Sequence, residues 1–535
     1  MRFLRLFLFV QLWMVRLAAQ PVGHIVFADR DVPLKQLTAK DMLSRYTLTN
    51  NSDLFITAYM GHSLLNDLHR LAPDLPTDSL FTNLKAGYQF ALFIDHRPIY
   101  RSDCWTPVSA IRDTARVLRL SLLDYPHDGQ SWSQWFWVRF ARNGGDEALT
   151  EGAHELRLEI RSWLHMGKDT LHGALIAAGN LQVQVKRRVI VDLSKVHLSR
   201  ILPYEGFGFS HEPYDSAKIR EMKGLIDAGV FKHISSVVVI KNGNILIEEY
   251  FNGETRDTRH DPRSVGKSFA STMMGLAIRD GYLKGVDQPL SDFYNLRSYA
   301  NYVPEKDSIK LRDLLSMCSA FDGDDDDDHS PGNEENMYDK DNWVKWTLDL
   351  PLSTTRPRDR WHYFTAGAML MGDILNSSVR GGLETYADEK FFSPLGIRDY
   401  QWQYTPQHVP NTAGGIELKA LDFAKYGQLY KNGGVWQGRQ ILPAEWVKST
   451  FTKYHRIPGR TDEYYGYFFW NKTYHADGKD CETWYCAGNG GNKIYVFTNQ
   501  PLVIVLTATA YGMPYAHPQE DKMMTDYILP AVLEK

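Results

Sequence analysis

An α+β domain preceded by an all-β sandwich is the architecture this chain predicts, and three observations predict it. Residues 29–188 hold short apolar runs separated by turn signals, the pattern of a sheet-rich domain. Asn242-Gly243 then joins two apolar runs, and that dipeptide suits a two-residue hairpin because the turn needs positive φ. Helical stretches follow, and four more strand-like runs close the chain, an order that builds one antiparallel sheet with helices packed on it.

In the first half the predicted strands are residues 54–59, 88–94, 117–122, 135–140, 155–163 and 181–186. The run Leu156-Arg157-Leu158-Glu159-Ile160-Arg161 alternates apolar with charged, as a strand with one buried face must. Trp132, Trp135 and Trp137 invite a sugar-stacking platform, although Trp135 and Trp137 would share one strand face, and aromatic pairs at that spacing are usually core. A connector with Gly and Pro, Leu202-Pro203-Tyr204-Glu205-Gly206-Phe207-Gly208, ends this half. The expected divisions are a leader at 1–19, a sandwich at 20–190, a connector at 191–213 and a second domain at 214–535.

The second domain opens with an amphipathic helix over 214–229, then strands at 234–240 and 244–250. Further helices are expected from Ser264, over 311–317, over 363–375 and around Leu421 to Tyr426. The closing strands are 466–470, 483–487, 493–498 and 501–508.

Composition narrows the functional classes. The 535 residues carry a net charge of −4 with 43% apolar and 13% aromatic side chains, which excludes general disorder and shows no basic footprint for nucleic acid. A basic start, an apolar stretch from Leu6 to Val15 and Ala18-Ala19 read as a secretory leader, because a membrane span needs about 20 apolar residues. The mature protein is therefore expected to be exported, periplasmic or secreted, with no membrane span after cleavage. Of the four cysteines, Cys481 and Cys486 either close a small loop in an oxidising compartment or remain half-buried thiols. The acidic run from Asp322 to Asp328 raises calcium, but it lacks the spaced ligands of a hand-shaped loop and reads as a solvated charge block.

One stretch carries chemistry. Ser264-Val265-Gly266-Lys267, read as a helix start, puts a hydroxyl and an amine on one face within the first turn. A lysine moved out of water near the positive end of a helix is easier to deprotonate and can serve as base for the serine. By itself S-x-x-K is common, and its bland reading is a helix start with a solvated lysine. No G-x-S-x-G elbow, metalloprotease helix or phosphate loop competes with it.

Tyr363-Phe364-Thr365 follows, and then Gly488-Asn489-Gly490-Gly491 between two predicted strands. This ordered set resembles the serine β-lactamase and penicillin-binding-protein superfamily, in its class C-like branch with carboxylesterases, D-aminopeptidases and 6-aminohexanoate-dimer hydrolases. Val286-Asp287-Gln288-Pro289, Ser393-Pro394-Leu395-Gly396-Ile397 and Leu421-Asp422-Phe423-Ala424-Lys425-Tyr426-Gly427 also look like that branch, and the likeness covers roughly 218–533. It implies a β-lactamase/transpeptidase-like domain, an antiparallel sheet with helices on both sides. It further implies Ser264 as acylated nucleophile, Lys267 as base or relay and Tyr363 as proton-transfer partner. The oxyanion hole would be the amides of Ser264 and Gly491, with Thr365, Gly488, Asn489 and Gly490 binding substrate, and no metal or cofactor is required.

Two departures shape the expected activity. The second motif ends in Thr365 where the family often has Asn, and the third begins with Gly488 where it often has Lys or His. Loss of that cation removes an electrostatic reason to hold a penicillin carboxylate. The expectation is an exported hydrolase for a small ester or non-lactam amide, of cell-wall or oligomer origin among the options. The alternatives are a D,D-carboxypeptidase or β-lactamase, and a catalytically silent binding or sensor protein.

Overall fold

The computed structural model describes residues 22–74, 86–104, 115–124, 132–166, 169–327, 330–357 and 359–533. The chain forms two compact units divided between Arg188 and Val189. The expected leader lies outside the described residues, as do Asp328 and His329 of the acidic run.

The first unit is sheet-rich, as expected, but its strands join one sheet. β1 (His24–Ala28), β2 (Arg45–Leu48), β3 (Asp53–Tyr59), β4 (Ala86–Ile94), β5 (Arg97–Cys104), β6 (Val117–Asp124), β7 (Gly152–Met166) and β8 (Asp169–Val185) run in the order β5-β4-β7-β8-β1-β3-β6, and β2 also pairs with β8. Leu156, Leu158 and Ile160 of β7 are buried, while Arg157 and Arg161 both pair with Glu159 on the other face. Helices replace the second layer of the expected sandwich: α1 (Leu64–Leu71) packs on β4, β7 and β8, and α2 (Trp132–Phe140) packs on both edge strands, β5 and β6.

The segment 135–140, expected as a strand, is part of α2. Its apolar residues satisfy a period of 2 and a period of 3.6 equally, and packing chose the helix. At helical spacing Trp132 stacks on Phe136 at 4.8 Å, while Trp137 is buried and Trp135 faces outward at 41% exposure. The three tryptophans therefore share no face, and the sugar platform is not formed.

In the second unit β9 (Gly208–Phe209), β10 (Ile234–Lys241) and β11 (Asn244–Tyr250) combine with β12 (His455–Arg456), β13 (Tyr464–Tyr465), β14 (Trp470–Ala476), β15 (Lys479–Gly488), β16 (Asn492–Phe497) and β17 (Leu502–Ala508). Their order is β12-β13-β14-β15-β16-β17-β10-β11-β9, antiparallel throughout except at the β11–β9 edge. Alternation along β10 sorts two cores. Val238 and Ile240 join the layer containing α4 (Val265–Arg279), α5 (Thr365–Ser378) and α6 (Ala420–Lys431), whereas Val237 and Val239 join that of α3 (Ser216–Asp227) and α7 (Ala516–Met523). This is the antiparallel sheet with helices on both sides.

The helix that carries Ser264 is the most deeply placed. Every residue of α4 from Val265 to Ala277 is buried, which fits a helix apolar on all sides. Two strand details differ from expectation for local reasons. The strand expected over 466–470 starts only at Trp470, because Phe468 adopts φ 59°, which interrupts an extended run. Cys481 and Cys486 both lie on β15, five residues apart, so alternation sends them to opposite faces and into different cores as fully buried free thiols. The small disulfide loop is not formed. Among the described residues no group of three or more His, Cys, Asp or Glu is placed to hold a metal ion, and no helix is long and apolar enough to cross a membrane.

Candidate active site

Ser264 stands at the N-cap of α4, immediately after Arg263, which holds φ 51°. A positive φ at a non-glycine residue costs free energy and marks a turn held by its surroundings. Here the surroundings are visible. Asp261 accepts the Arg263 amide at 3.0 Å, Tyr511 donates its hydroxyl to the Asp261 carbonyl at 2.9 Å, and the Arg263 guanidinium lies over the Tyr511 ring at 4.7 Å.

One helical turn on, Lys267 is 1% exposed and donates from Nζ to Ser264 Oγ at 2.7 Å and to the Ala413 carbonyl at 2.7 Å. Burial holds its pKa below the ordinary lysine value, and the carboxylates of Glu334 and Asp325 push the other way. The bland reading of a solvated lysine is excluded by that burial. The loop behind the pair comes close because it carries no side chain. A Cβ on Gly414 would meet the Arg263 carbonyl carbon at 2.8 Å, and one on Gly266 would meet Gly414 Cα at 2.9 Å.

Tyr363 sits just before α5, its ring 5.1 Å from Lys267 Nζ and its hydroxyl near Ser264. The sequence argument expects a nearby ammonium to favour phenolate, but burial outweighs it. The phenol is pushed well above its ordinary value; the Ser264 hydroxyl works against that rise, and the Glu334, Asp325 and Asp326 charges add to it. Tyr363 is therefore held as the neutral phenol.

Gly488 ends β15 against the nucleophile turn: a Cβ there would lie 1.8 Å from the Pro262 carbonyl oxygen and 3.1 Å from the Ser264 amide nitrogen. Gly488 pairs with Asn492, so the chain reverses through the three residues between them. Asn489 lines the cleft and accepts the Gly512 amide at 2.7 Å, whereas a side chain on Gly490 would meet the Tyr511 ring and one on Gly491 would face Glu520 and Ala508. Gly491 and Gly490 are thus not among the cleft residues. Thr365 is also set back, 1% exposed, its amide given to Asp325 at 2.7 Å.

The cleft above Ser264 has a volume of about 390 Å³ and is lined by Glu334, Glu335, Tyr338, Trp343 and Tyr404 together with Asn411, Ala413 and Gly414. Tyr338 donates its hydroxyl to Glu334 at 2.7 Å. Neither Glu334 nor Glu335 is ion-paired among the described residues, and Arg263, the guanidinium in the lining, is paired with Asp261 at 3.3 Å. Sequence reasoning missed Ala413, Asp325 and Glu334. Gly414-Gly415 was the available signal for the first, and the acidic run, read only as solvated charge, held the second.

Residues 224–523 match the family model named Beta-lactamase. A 6-aminohexanoate-dimer hydrolase of Paenarthrobacter ureafaciens is 24% identical over 276 residues, which is 47% of this chain and 64% of that protein. Among solved structures, a D-stereospecific amidohydrolase from Streptomyces sp. is 15% identical with a TM-score of 0.44, covering 58% of this chain and 99% of that one. A penicillin-binding protein from Bacillus halodurans is 17% identical with a TM-score of 0.43, covering 55% of this chain and 96% of that one. The family match spans more than half of the chain and contains Ser264, Lys267, Tyr363 and Gly488, so the chain belongs to the Beta-lactamase family.

Proposed function

We propose that this protein is an exported serine hydrolase that cleaves a small ester or non-lactam amide through an acyl-enzyme on Ser264. The observation that carries the proposal is the buried Lys267 amine, 2.7 Å from the serine hydroxyl with its pKa lowered by burial. In its neutral form that amine accepts the Ser264 proton as Oγ attacks the substrate carbonyl carbon. The Ser264 amide and the backbone at Asn489, where β15 ends over the serine, are the donors for the tetrahedral oxyanion, each worth about 3 kcal/mol. Tyr363, kept protonated, gives its proton to the leaving oxygen or nitrogen and is reprotonated by the Lys267 ammonium, which carries the proton taken from Ser264. Water then attacks the acyl carbon, the same groups moving its proton to Ser264 Oγ as the acyl bond breaks.

The wall composition supports a substrate without a carboxylate near the scissile bond. Glu334 and Glu335 would repel the carboxylate of a penicillin, and Gly488 occupies the motif position at which the family often carries a cation to hold it. The relative named above hydrolyses, by its name, a 6-aminohexanoate dimer, which supports a substrate other than a lactam.

Intact-mass measurement after a fluorophosphonate probe tests the nucleophile: one adduct on wild type and none on Ser264→Ala is expected. An adduct retained by Ser264→Ala removes Ser264 from the mechanism, and an unreactive wild type favours a silent binding protein. Release of p-nitrophenol from a short acyl ester without ring opening of nitrocefin is the expected substrate pattern, and the reverse pattern makes the protein a β-lactamase.

A further inference from the structure

Asp325 lies in the acidic run that sequence reading leaves to solvent, yet each of its polar groups is engaged. Its amide donates to the Tyr363 carbonyl at 2.9 Å, and its Oδ2 accepts the Thr365 amide at 2.7 Å, so it grips the chain on both sides of Phe364, directly after Tyr363. Its Oδ1 accepts the Glu334 amide at 2.9 Å, and its carbonyl accepts Asn333 Nδ2 at 3.2 Å. One carboxylate thus ties the tyrosine segment to the cleft wall. A carboxylate taking two backbone N–H groups is a geometry that its amide or protonated form cannot reproduce, because each of those offers a donor on one side.

We propose that Asp325 is a positioning residue for the reaction, holding the Tyr363 hydroxyl in register with Ser264 and setting the charge beside Lys267. The proposal rests on the nucleophile and base assigned above. The groups that face Asp325 are Lys267 from α4, Glu334 and Tyr338 from the cleft wall, Tyr363 before α5 and Asp326 beside it. Of these only Lys267 is a cation. Burial and the Glu334 charge raise the Asp325 carboxyl above its ordinary range, while the Thr365 bonds and Lys267 lower it. In return the ionised carboxylate favours the ammonium form of Lys267.

Two substitutions separate the grip from the charge. Asp325→Asn removes the charge together with one of the two accepted amides. Thr365→Pro removes one gripped amide and keeps the charge; Thr365 is the first residue of α5, where proline is tolerated, and Phe364 before it has the extended backbone that proline prefers.

The experiment is the pH dependence of the rate at which a fluorophosphonate modifies full-length wild-type, Asp325→Asn and Thr365→Pro proteins, with Tm measured for each. Both variants should react at least about tenfold more slowly than wild type, since misplacing a proton-transfer group by about 1 Å costs that much or more. Only Asp325→Asn should also move the acid limb of the profile to lower pH, because only it removes a carboxylate that stabilises the Lys267 ammonium. Wild-type rate and profile in Asp325→Asn would overturn the proposal. So would a slowed Asp325→Asn whose acid limb stays in place, which is the signature of a purely structural role. If Asp325→Asn fails to fold, Thr365→Pro decides alone, and a wild-type rate there overturns the grip. A wild type that never reacts, or a label kept by Ser264→Ala, instead refutes the nucleophile assignment and this proposal with it.

Discussion

Replacing Lys267 by methionine tests the centre of the mechanism with little change of shape. The substitution removes Nζ, and with it the bonds to Ser264 Oγ and to the Ala413 carbonyl, both 2.7 Å. General-base catalysis contributes about 10²–10⁴ in rate, so the barrier to modifying Ser264 should rise by about 3–5 kcal/mol at 1.36 kcal/mol per decade. Folding should change far less. The Ala413 carbonyl loses a partner, at a cost of about 1–3 kcal/mol, and that loss is offset because a fully buried amine no longer has to be desolvated. The assay is the second-order rate of fluorophosphonate modification beside a thermal melt. Wild type should speed up as pH rises through the lowered Lys267 pKa, and Lys267→Met should be slow and nearly flat across that range. A variant that reacts within about threefold of wild type, or keeps the rising limb, would refute the assignment of Lys267 as base.

Two further outcomes follow from the neighbouring residues. His362 is 2% exposed with Nδ1 3.1 Å from the Arg360 carbonyl, and burial followed by the Arg356 charge lowers its pKa from 6.5 to about 4. Between those values the unfolded chain binds a proton that the folded one refuses, so stability rises with pH there and is lost as pH falls from 6.5 toward 4. At 1.36 kcal/mol per pH unit that window is worth about 3 kcal/mol, and His362→Phe should flatten the pH dependence of denaturant unfolding across it. An unchanged slope would show that His362 does not carry the effect. Gly488→Ala should destabilise by about 3 kcal/mol and slow the modification of Ser264 by about 100-fold, because its Cβ would meet the Pro262 backbone. Wild-type reactivity in that variant would mean that β15 does not set the serine turn.

Much of the second unit was legible because its signals are local. The Asn242-Gly243 turn joins β10 to β11, and the 3.6 period that puts Ser264 beside Lys267 is a property of any helix. The first unit was less legible where two periods fit one segment, as in Trp132–Phe140, and the choice fell to the ring contacts of Phe136 with Phe90 and Tyr100. Gly488 and Gly491 differ in surroundings although they belong to one motif, since pairing of Gly488 with Asn492 fixes which end of the reversal meets the serine.

Sequence alone determined that a hydroxyl and an amine share the first turn of a helix, that a tyrosine and a glycine-rich reversal follow in a family order, and that an antiparallel sheet frames them. These depend on covalent periodicity and short-range turn chemistry, which neighbouring residues specify among themselves. Tertiary structure decided which way the Lys267 and Tyr363 pKa values move, because that depends on burial by elements far along the chain. It also decided that the Ala413 carbonyl, 146 residues away, holds Lys267, and that an aspartate in a charged run takes the amides flanking the cleft instead of solvent. Burial and long-range hydrogen bonds are properties of the topology, and no spacing in the chain encodes them locally.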